Sequence, residues 1–441
     1  MTAEYLTTPV DPESADRLAR SGLTMGLVDS TDTAAFALWL QAESRGFHGA
    51  RMSDKSIKEQ VEGLADRRTT GVWDATAADP ESPVSTVSSW PAPLTIPGRR
   101  DIAAWAISAV TVSPTHRRRG VARAMLEAEL RTANRLGVPL AILTVSEATI
   151  YSRYGFAPTA MTVDLKIDTR RASWSGPEAS GRLHFVDMQQ LRSDGRELLE
   201  RVRLETPGEV GIGDYLWERL LGQVGDEKDT AKSLRAVRYD DADGTPAGFA
   251  IYSVTETDSE AFTHTAEVKY LVAATDDAYA GLWRYFIEMD LVTTVSAPLR
   301  STDEAVVWQV SDFRAANKTL ERDHLWARIL NVPVALAARQ YSAAGTIVLD
   351  ITDPLGFTEG RVRLDIADDG SAEVTEHDGD IPEGAAGLSL TVNELGALYL
   401  GGVSSRSLLR AGRVTELTPS ATDVVDASFR SPVAPLLSYW F

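Results

Sequence analysis

The chain has 441 residues, 44% hydrophobic and 24% charged, an ordinary globular composition but more length than one core serves, since cores stop growing at roughly 250–300 residues. Lys and Arg number 44 against 63 Asp and Glu; the resulting charge of -19 repels phosphate backbones, which argues against a nucleic-acid partner. The absence of cysteine excludes a disulfide framework, a thiolate zinc site and a Cys nucleophile.

In chain order, residues 1–22 are polar and contain proline, and are expected to form a flexible tail. They lack the apolar stretch of a secretory signal, and no run of about 18 apolar residues predicts a membrane span, so a cytoplasmic setting without a membrane partner is expected. Ser30, Thr31 and Asp32 offer capping oxygens to a helix carrying Phe36, Leu38, Trp39 and Leu40. Strands are predicted at 70–73 and 84–90. A clearer one spans 105–112, mostly Ala, Ile and Val, as a strand buried on both faces would be. Ser113-Pro114-Thr115 stops it. A helix follows over 119–136, with Val121, Met125, Leu126 and Leu130 on its apolar side and Gly137 at its end. Another buried strand covers 139–145, a short helix 146–153 and a last strand 160–167. This order predicts a βαβ unit with a central parallel pair.

Residues 171–182, rich in Ser, Arg and Gly, read as a linker between a first domain at 23–170 and a second at 183–320. The second repeats the order of the first: a helix at 196–204, strands at 234–239, 246–254 and 265–273, and a helix at 277–291. A diverged duplicate is the expected explanation. Residues 321–441 change pattern again. Segments 326–329 and 333–339 read as helical, 345–351, 359–366 and 371–374 as antiparallel strands, and 392–399 and 424–429 as helices. This α+β domain ends in Ser438-Tyr439-Trp440-Phe441, an aromatic terminus expected to be packed.

The chemistry centres on Arg117-Arg118-Arg119-Gly120-Val121-Ala122, which follows the strand and opens the helix. A pyrophosphate approaching backbone N–H groups needs small residues at 120 and 122, while the helix start and the arginines supply positive potential. No Gly-x-x-x-x-Gly-Lys-Ser/Thr occurs, so a P-loop is not supported. Gly208, Gly211 and Gly213 imitate a dinucleotide fingerprint but lack the preceding strand and the glycine spacing. The six histidines show no metal-ligand spacing, and no metal is expected.

Val112-x-Pro114-Thr115-His116-Arg117-Arg118-Arg119-Gly120, followed by Ser146-Glu147-x-x-Ile150-Tyr151-x-Arg153-Tyr154-Gly155-Phe156, resembles the GNAT N-acetyltransferases of the Eis (enhanced intracellular survival) type. Leu325-Trp326-x-Arg328-Ile329-x-Asn331-Val332-Pro333, Leu398-Tyr399-Leu400-Gly401 and the aromatic end extend the resemblance over nearly the whole chain. It implies α/β and α+β architecture: tandem GNAT folds, the first active and the second degenerate, then a sterol-carrier-protein-like domain. It also implies acetyl-CoA as co-substrate, held by Val110 and Val112 through main-chain groups and by Arg117, Arg118, Gly120, Val121 and Ala122 at the pyrophosphate, with Ser146 and Glu147 beside it. Tyr151 matches the family's general acid, and the terminal carboxylate, here that of Phe441, its general base. By themselves the residues leave Tyr151 open between core tyrosine and acid, and Phe441 between buried aromatic end and base. Phe36 and Trp39, at core spacing, fall where the family lines its acceptor groove. Ala148 and Thr149 depart from glycines common in the family, which leaves acceptor specificity open.

The implied acceptors are cationic amines: aminoglycosides, modified at several positions, polyamines or lysine side chains. The implied assembly is a homo-hexamer. In the second repeat the equivalent segment runs Val268-Lys269-Tyr270-Leu271-Val272-Ala273-Ala274-Thr275-Asp276-Asp277, with acids where the phosphate loop would need arginines and glycines, so it is expected to bind no CoA. The alternative is a protein that binds lipid or another hydrophobic ligand in its C-terminal domain.

Overall fold

Helix is present between Glu4 and Ala19, where composition suggests a loose tail. The computed structural model describes residues 4–224, 232–258 and 262–441, so residues 1–3 of the expected tail lie outside the described residues. Helices α1 (Glu4–Thr7) and α2 (Pro12–Ala19) occupy most of the rest. Asp11 accepts from the Ser14 amide at 2.9 Å, and Pro12 takes the first helical turn, where its missing N–H costs nothing. Ser14 and Leu18 are buried, and Arg131 donates to Asp11 at 2.9 Å and to Ser14 at 2.7 Å. The tail expectation is therefore corrected over this stretch: a capped amphipathic helix, polar in composition, is tied down.

Then follow β1 (Leu23–Val28), α3 (Thr33–Gly46), α4 (Asp54–Gly63), β2 (Arg68–Asp74), β3 (Ser85–Ile96), β4 (Arg100–Val112), α5 (Val121–Arg135), β5 (Leu140–Thr144), α6 (Ala148–Tyr151) and β6 (Ala157–Asp168). Strands β1 to β4 pair antiparallel in sequence, and β4 pairs parallel with β5 across α5. This is the predicted βαβ unit. Val72, Val87, Trp105, Met125, Leu126, Leu130 and Leu143 close its core, each worth roughly 1.5–3 kcal/mol of burial. Glu129, on the sheet side of α5, is buried as well. It accepts from Ser89 at 2.6 Å and from the Trp105 indole at 3.1 Å.

The chain divides into two compact units, one of Met1–Thr159, Leu325–Ser431 and Phe441, the other of Ala160–His324 and Pro432–Trp440. The second unit contains β7 (Arg182–Val186), α7 (Met188–Arg203), α8 (Asp214–Leu220), β8 (Leu234–Asp240), β9 (Pro246–Asp258), β10 (Thr263–Ala273), α9 (Asp276–Ile287) and β11 (Val292–Arg300). Strands β7 to β10 pair antiparallel in sequence, and β10 pairs parallel with β11 across α9. The topology of β4, α5 and β5 is thus repeated. The expected linker is only partly a linker, since Trp174 bridges to Val310 and Ser180 donates to Asp277 at 3.0 Å. In this unit Leu437 and Tyr439 of the terminal segment are buried.

The remaining elements are β12 (Ala316–Ile329), α10 (Val332–Ala338), β13 (Gly345–Thr352), β14 (Gly360–Ile366), β15 (Ala372–Glu376), β16 (Ala386–Thr391), α11 (Val392–Leu398), α12 (Ser405–Arg410), β17 (Thr415–Glu416) and α13 (Ala421–Phe429). Strands β13 to β17 form a sheet in the order β15-β14-β13-β16-β17. Residues 326–329, expected as helix, are strand: Trp326, Ala327, Arg328 and Ile329 pair with Leu143, Ile142, Ala141 and Leu140 of β5. A short apolar run looks alike as buried helix or buried strand, and only the partner strand decides.

Candidate active site

The basic loop is tied to β2 by its own side chains. His116 is buried, with Nε2 3.0 Å from Asp74 and Nδ1 2.8 Å from the Thr115 hydroxyl. Asp74 also accepts from Thr76 at 2.6 Å and from Arg119 at 3.4 Å, and these bonds, Thr76 first, hold its carboxyl well below the usual range. Arg119 further donates to the Ser21 carbonyl, so one of the three arginines serves the loop itself. Arg117 and Arg118 stay exposed. Gly120 takes φ +77°, and a Cβ there would meet nothing within 4 Å. The space beside its Cα is open, as an approaching ligand requires.

Gly120 precedes α5 without a side-chain cap, and the first turn contains no acid, so its leading N–H groups and the helix dipole remain available to an anion. The corresponding end of α9 is occupied. Thr275 caps it through the Ala278 amide, Asp276 and Asp277 fill its first turn, and Asp277 accepts from Ser180 and Tyr239. Carboxylates there repel an anion.

Strand β4 leaves its neighbour before it ends. It pairs with β5 only over 104–107, and Ala109 has φ +55° at a register shift against β3. Val110 and Val112, half-buried, lie beyond the paired stretch. At the facing end of β5, the Thr144 hydroxyl donates to the main-chain oxygen of Phe441 at 3.0 Å. The Phe441 ring meets Trp90 edge-on, centroids 5.6 Å apart, with the Arg67 guanidinium 3.8 Å over the Trp90 ring.

Ser146 and Glu147 are exposed between β5 and α6, and Tyr151 is buried on α6. Burial, then the charges of Glu147 and Tyr154, push the Tyr151 phenol up to about 12, so at neutral pH it keeps its proton. The Tyr154 phenol is raised as well, and its residue lies in the turn that follows. The arrangement offers an anion cradle, an opened strand pair and a protonated phenol in one unit. These fit acetyl-CoA: the pyrophosphate matches the uncapped helix start and the pantetheine amides the unpaired edge of β4.

Residues 28–159 and 213–329 each match an acetyltransferase (GNAT) domain, and 332–438 match a sterol carrier protein domain. An N-acetyltransferase of Streptomyces avermitilis is 36% identical over 411 residues, 91% of this chain and 95% of that one. N-acetyltransferase Eis of Mycobacterium tuberculosis is 32% identical over 356 residues, 79% of this chain and 83% of its own. The chain is an Eis-type GNAT N-acetyltransferase. Eis1 from Mycobacterium abscessus superposes with a TM-score of 0.78 at 26% identity, over 95% of this chain and 100% of that one. A GCN5-related N-acetyltransferase from Anabaena variabilis, 19% identical, shares the fold with the same score. As in GNAT acetyltransferases generally, the acetyl donor is acetyl-CoA.

In this acetyltransferase Phe36 and Trp39 are fully buried, their rings 5.8 Å apart, and the Trp39 indole donates to the Thr70 carbonyl at 2.9 Å. They pack the core of α3 and present no surface to an acceptor. Asp74, Trp90, Arg67 and Thr144 escape a reading of the sequence. Thr144 leaves a trace, as the one polar residue in the apolar run 140–145, whereas Trp90 reads as any strand aromatic.

Proposed function

We propose that this acetyltransferase moves the acetyl group of acetyl-CoA directly to an amine of a polycationic acceptor: an aminoglycoside, at one or several of its amines, a polyamine or a lysine side chain. The terminal carboxylate of Phe441 takes the proton that the amine nitrogen loses as it bonds to the acetyl carbon. Tyr151 gives its hydroxyl proton to the sulfur as the carbon–sulfur bond opens, the role of a positioned acid. Val110 and Val112 offer main-chain groups to the pantetheine arm and acetyl oxygen. Arg117, Arg118, Gly120, Val121 and Ala122 receive the pyrophosphate, with Ser146 and Glu147 beside the coenzyme.

The observation that supports this reading is the bond from the Thr144 hydroxyl to the main-chain oxygen of Phe441 at the end of β5, four residues before the helix that bears a neutral, buried Tyr151. A charge of -19 favours the approach of polycations. Direct transfer suits a chain without cysteine. The test follows thiol release from acetyl-CoA across a panel of an aminoglycoside, a polyamine and a lysine peptide, with the wild type and Tyr151→Phe. The wild type is expected to release thiol with at least one acceptor, and Tyr151→Phe to lose about 10²–10⁴-fold in kcat. No release with any amine, or a fully active Tyr151→Phe, overturns the reading.

A further inference from the structure

Tyr151 ends a helix of four residues, far too short to hold itself in place, since isolated helices under about 12–15 residues are marginal in water. Its position has to be fixed from outside, and the turn that follows it shows how. Asn393, near the start of α11, donates through its side-chain amide to the carbonyls of both Ser152 and Phe156, each at 2.8 Å. Arg328, at the end of β12, donates through Nε to the Tyr154 carbonyl at 3.0 Å. The carbonyls of residues 152, 154 and 156 are therefore each held by a side chain from more than 170 positions away.

Both holders are themselves locked. The Arg328 guanidinium forms two bonds to Asp353, at 2.8 and 2.7 Å, with both side chains wholly buried. Asp353 also accepts from the amides of Leu355, Phe357 and Thr358. Asn393 stands in the first turn of α11, whose head Thr391 and Glu394 fix with a capping box. Gly155 completes the device. It has φ +86°, and a Cβ there would lie 2.8 Å from Arg328 Nε and 2.9 Å from Val392, so only glycine lets the guanidinium reach the turn. The Tyr151 ring packs edge-on against Phe156, 6.3 Å between centroids, and so rides on the clamped turn.

We propose that Arg328, Asp353 and Asn393 are positioning residues for acetyl transfer: they fix the 152–156 turn and, through it, the hydroxyl of Tyr151. A buried ion pair is seldom the most stable filling of a core, so placing it behind this turn favours precise location over stability. The inference rests on Tyr151 being the acid. It gives the sterol-carrier-like region, which supplies Asp353 and Asn393, a part in the chemistry of the first GNAT repeat. It also joins the Tyr154-Gly155-Phe156 and Arg328 motifs, far apart in sequence, as two halves of one clamp.

The test is a double-mutant cycle with Asn393→Ala and Tyr151→Phe in the full-length protein, reading kcat, KM for acetyl-CoA and amide hydrogen exchange over residues 148–156. Asn393→Ala is expected to lower kcat about ten-fold with KM for acetyl-CoA unchanged, since misplacement by about 1 Å can cost up to ~10²-fold. Exchange over 148–156 is expected to quicken while the melting temperature holds. In the Tyr151→Phe background the same substitution is expected to cost nothing further. A full ten-fold loss in both backgrounds, or unchanged exchange and kcat, overturns the clamp while leaving Tyr151 as the acid. A fully active Tyr151→Phe removes the acid itself and the clamp's purpose with it. Should Asn393→Ala fail to fold, Asn393→Ser enters the same cycle with the same two outcomes.

Discussion

In the second unit two buried groups hold the end of the chain and should respond to pH in opposite directions. His324, fully buried, has Nε2 2.9 Å from the Tyr439 carbonyl, and burial pushes it down from 6.5 to about 4. Glu209 bonds to the side chain and backbone of Ser438, and burial pushes it up from 4.5 to about 7, against the pull of Arg300 and Arg203. For His324 the unfolded chain binds more protons between pH 6.5 and 4, so its contribution is present above 6.5 and lost as pH falls through that window. For Glu209 the folded chain binds more protons between 4.5 and 7, so its contribution is present below 4.5 and lost as pH rises through 7. Each full span is worth about 3 kcal/mol, and between about pH 7.5 and 5 each changes by about 2 kcal/mol, with opposite sign. The two nearly cancel in the wild type. His324→Gln and Glu209→Gln, which keep polar partners for Tyr439 and Ser438, should separate them. Measured by urea denaturation at those two pH values, His324→Gln should gain about 2 kcal/mol on the wild type as pH falls, and Glu209→Gln should lose about as much. Differences from the wild type that do not change with pH would refute the reasoning.

Other substitutions test the rest of the account. Gly120→Ala forces an L residue to φ +77° and fills the space before α5, so KM for acetyl-CoA should rise several-fold with about 1 kcal/mol lost in urea denaturation. Arg328→Met strands the buried Asp353 carboxylate and should cost about 3–5 kcal/mol, much of it recovered by adding Asp353→Leu. One residue added after Phe441 puts an amide where the proposed base stands and should depress kcat while leaving acetyl-CoA binding, measured by calorimetry, unchanged.

The strand-loop-helix around Gly120 was legible because each part is local: an apolar strand, a proline stop, a glycine at positive φ and a periodic helix. The tandem repeat was legible as an order of elements, and Asp276-Asp277 as charges of the wrong sign for phosphate. What escaped is long-range. Thr144 meets Phe441 across 297 positions, Trp90 meets it from further still, and Arg328 reaches Tyr154 across 174. The helix α2 was hidden because its cap and its arginine partners count as polar composition until Arg131 and Glu127 are seen beside it. Phe36 and Trp39 carried the spacing of a core helix, and in the core they stay.

The most direct measurement of the central claim is mass analysis of the acceptor beside a count of released thiol, with wild-type protein, acetyl-CoA and an aminoglycoside or polyamine. The account predicts one acetyl group on an acceptor nitrogen for every thiol set free. Thiol released without acetylated amine, or an acetyl group found on the protein in place of the acceptor, would contradict direct transfer at this site.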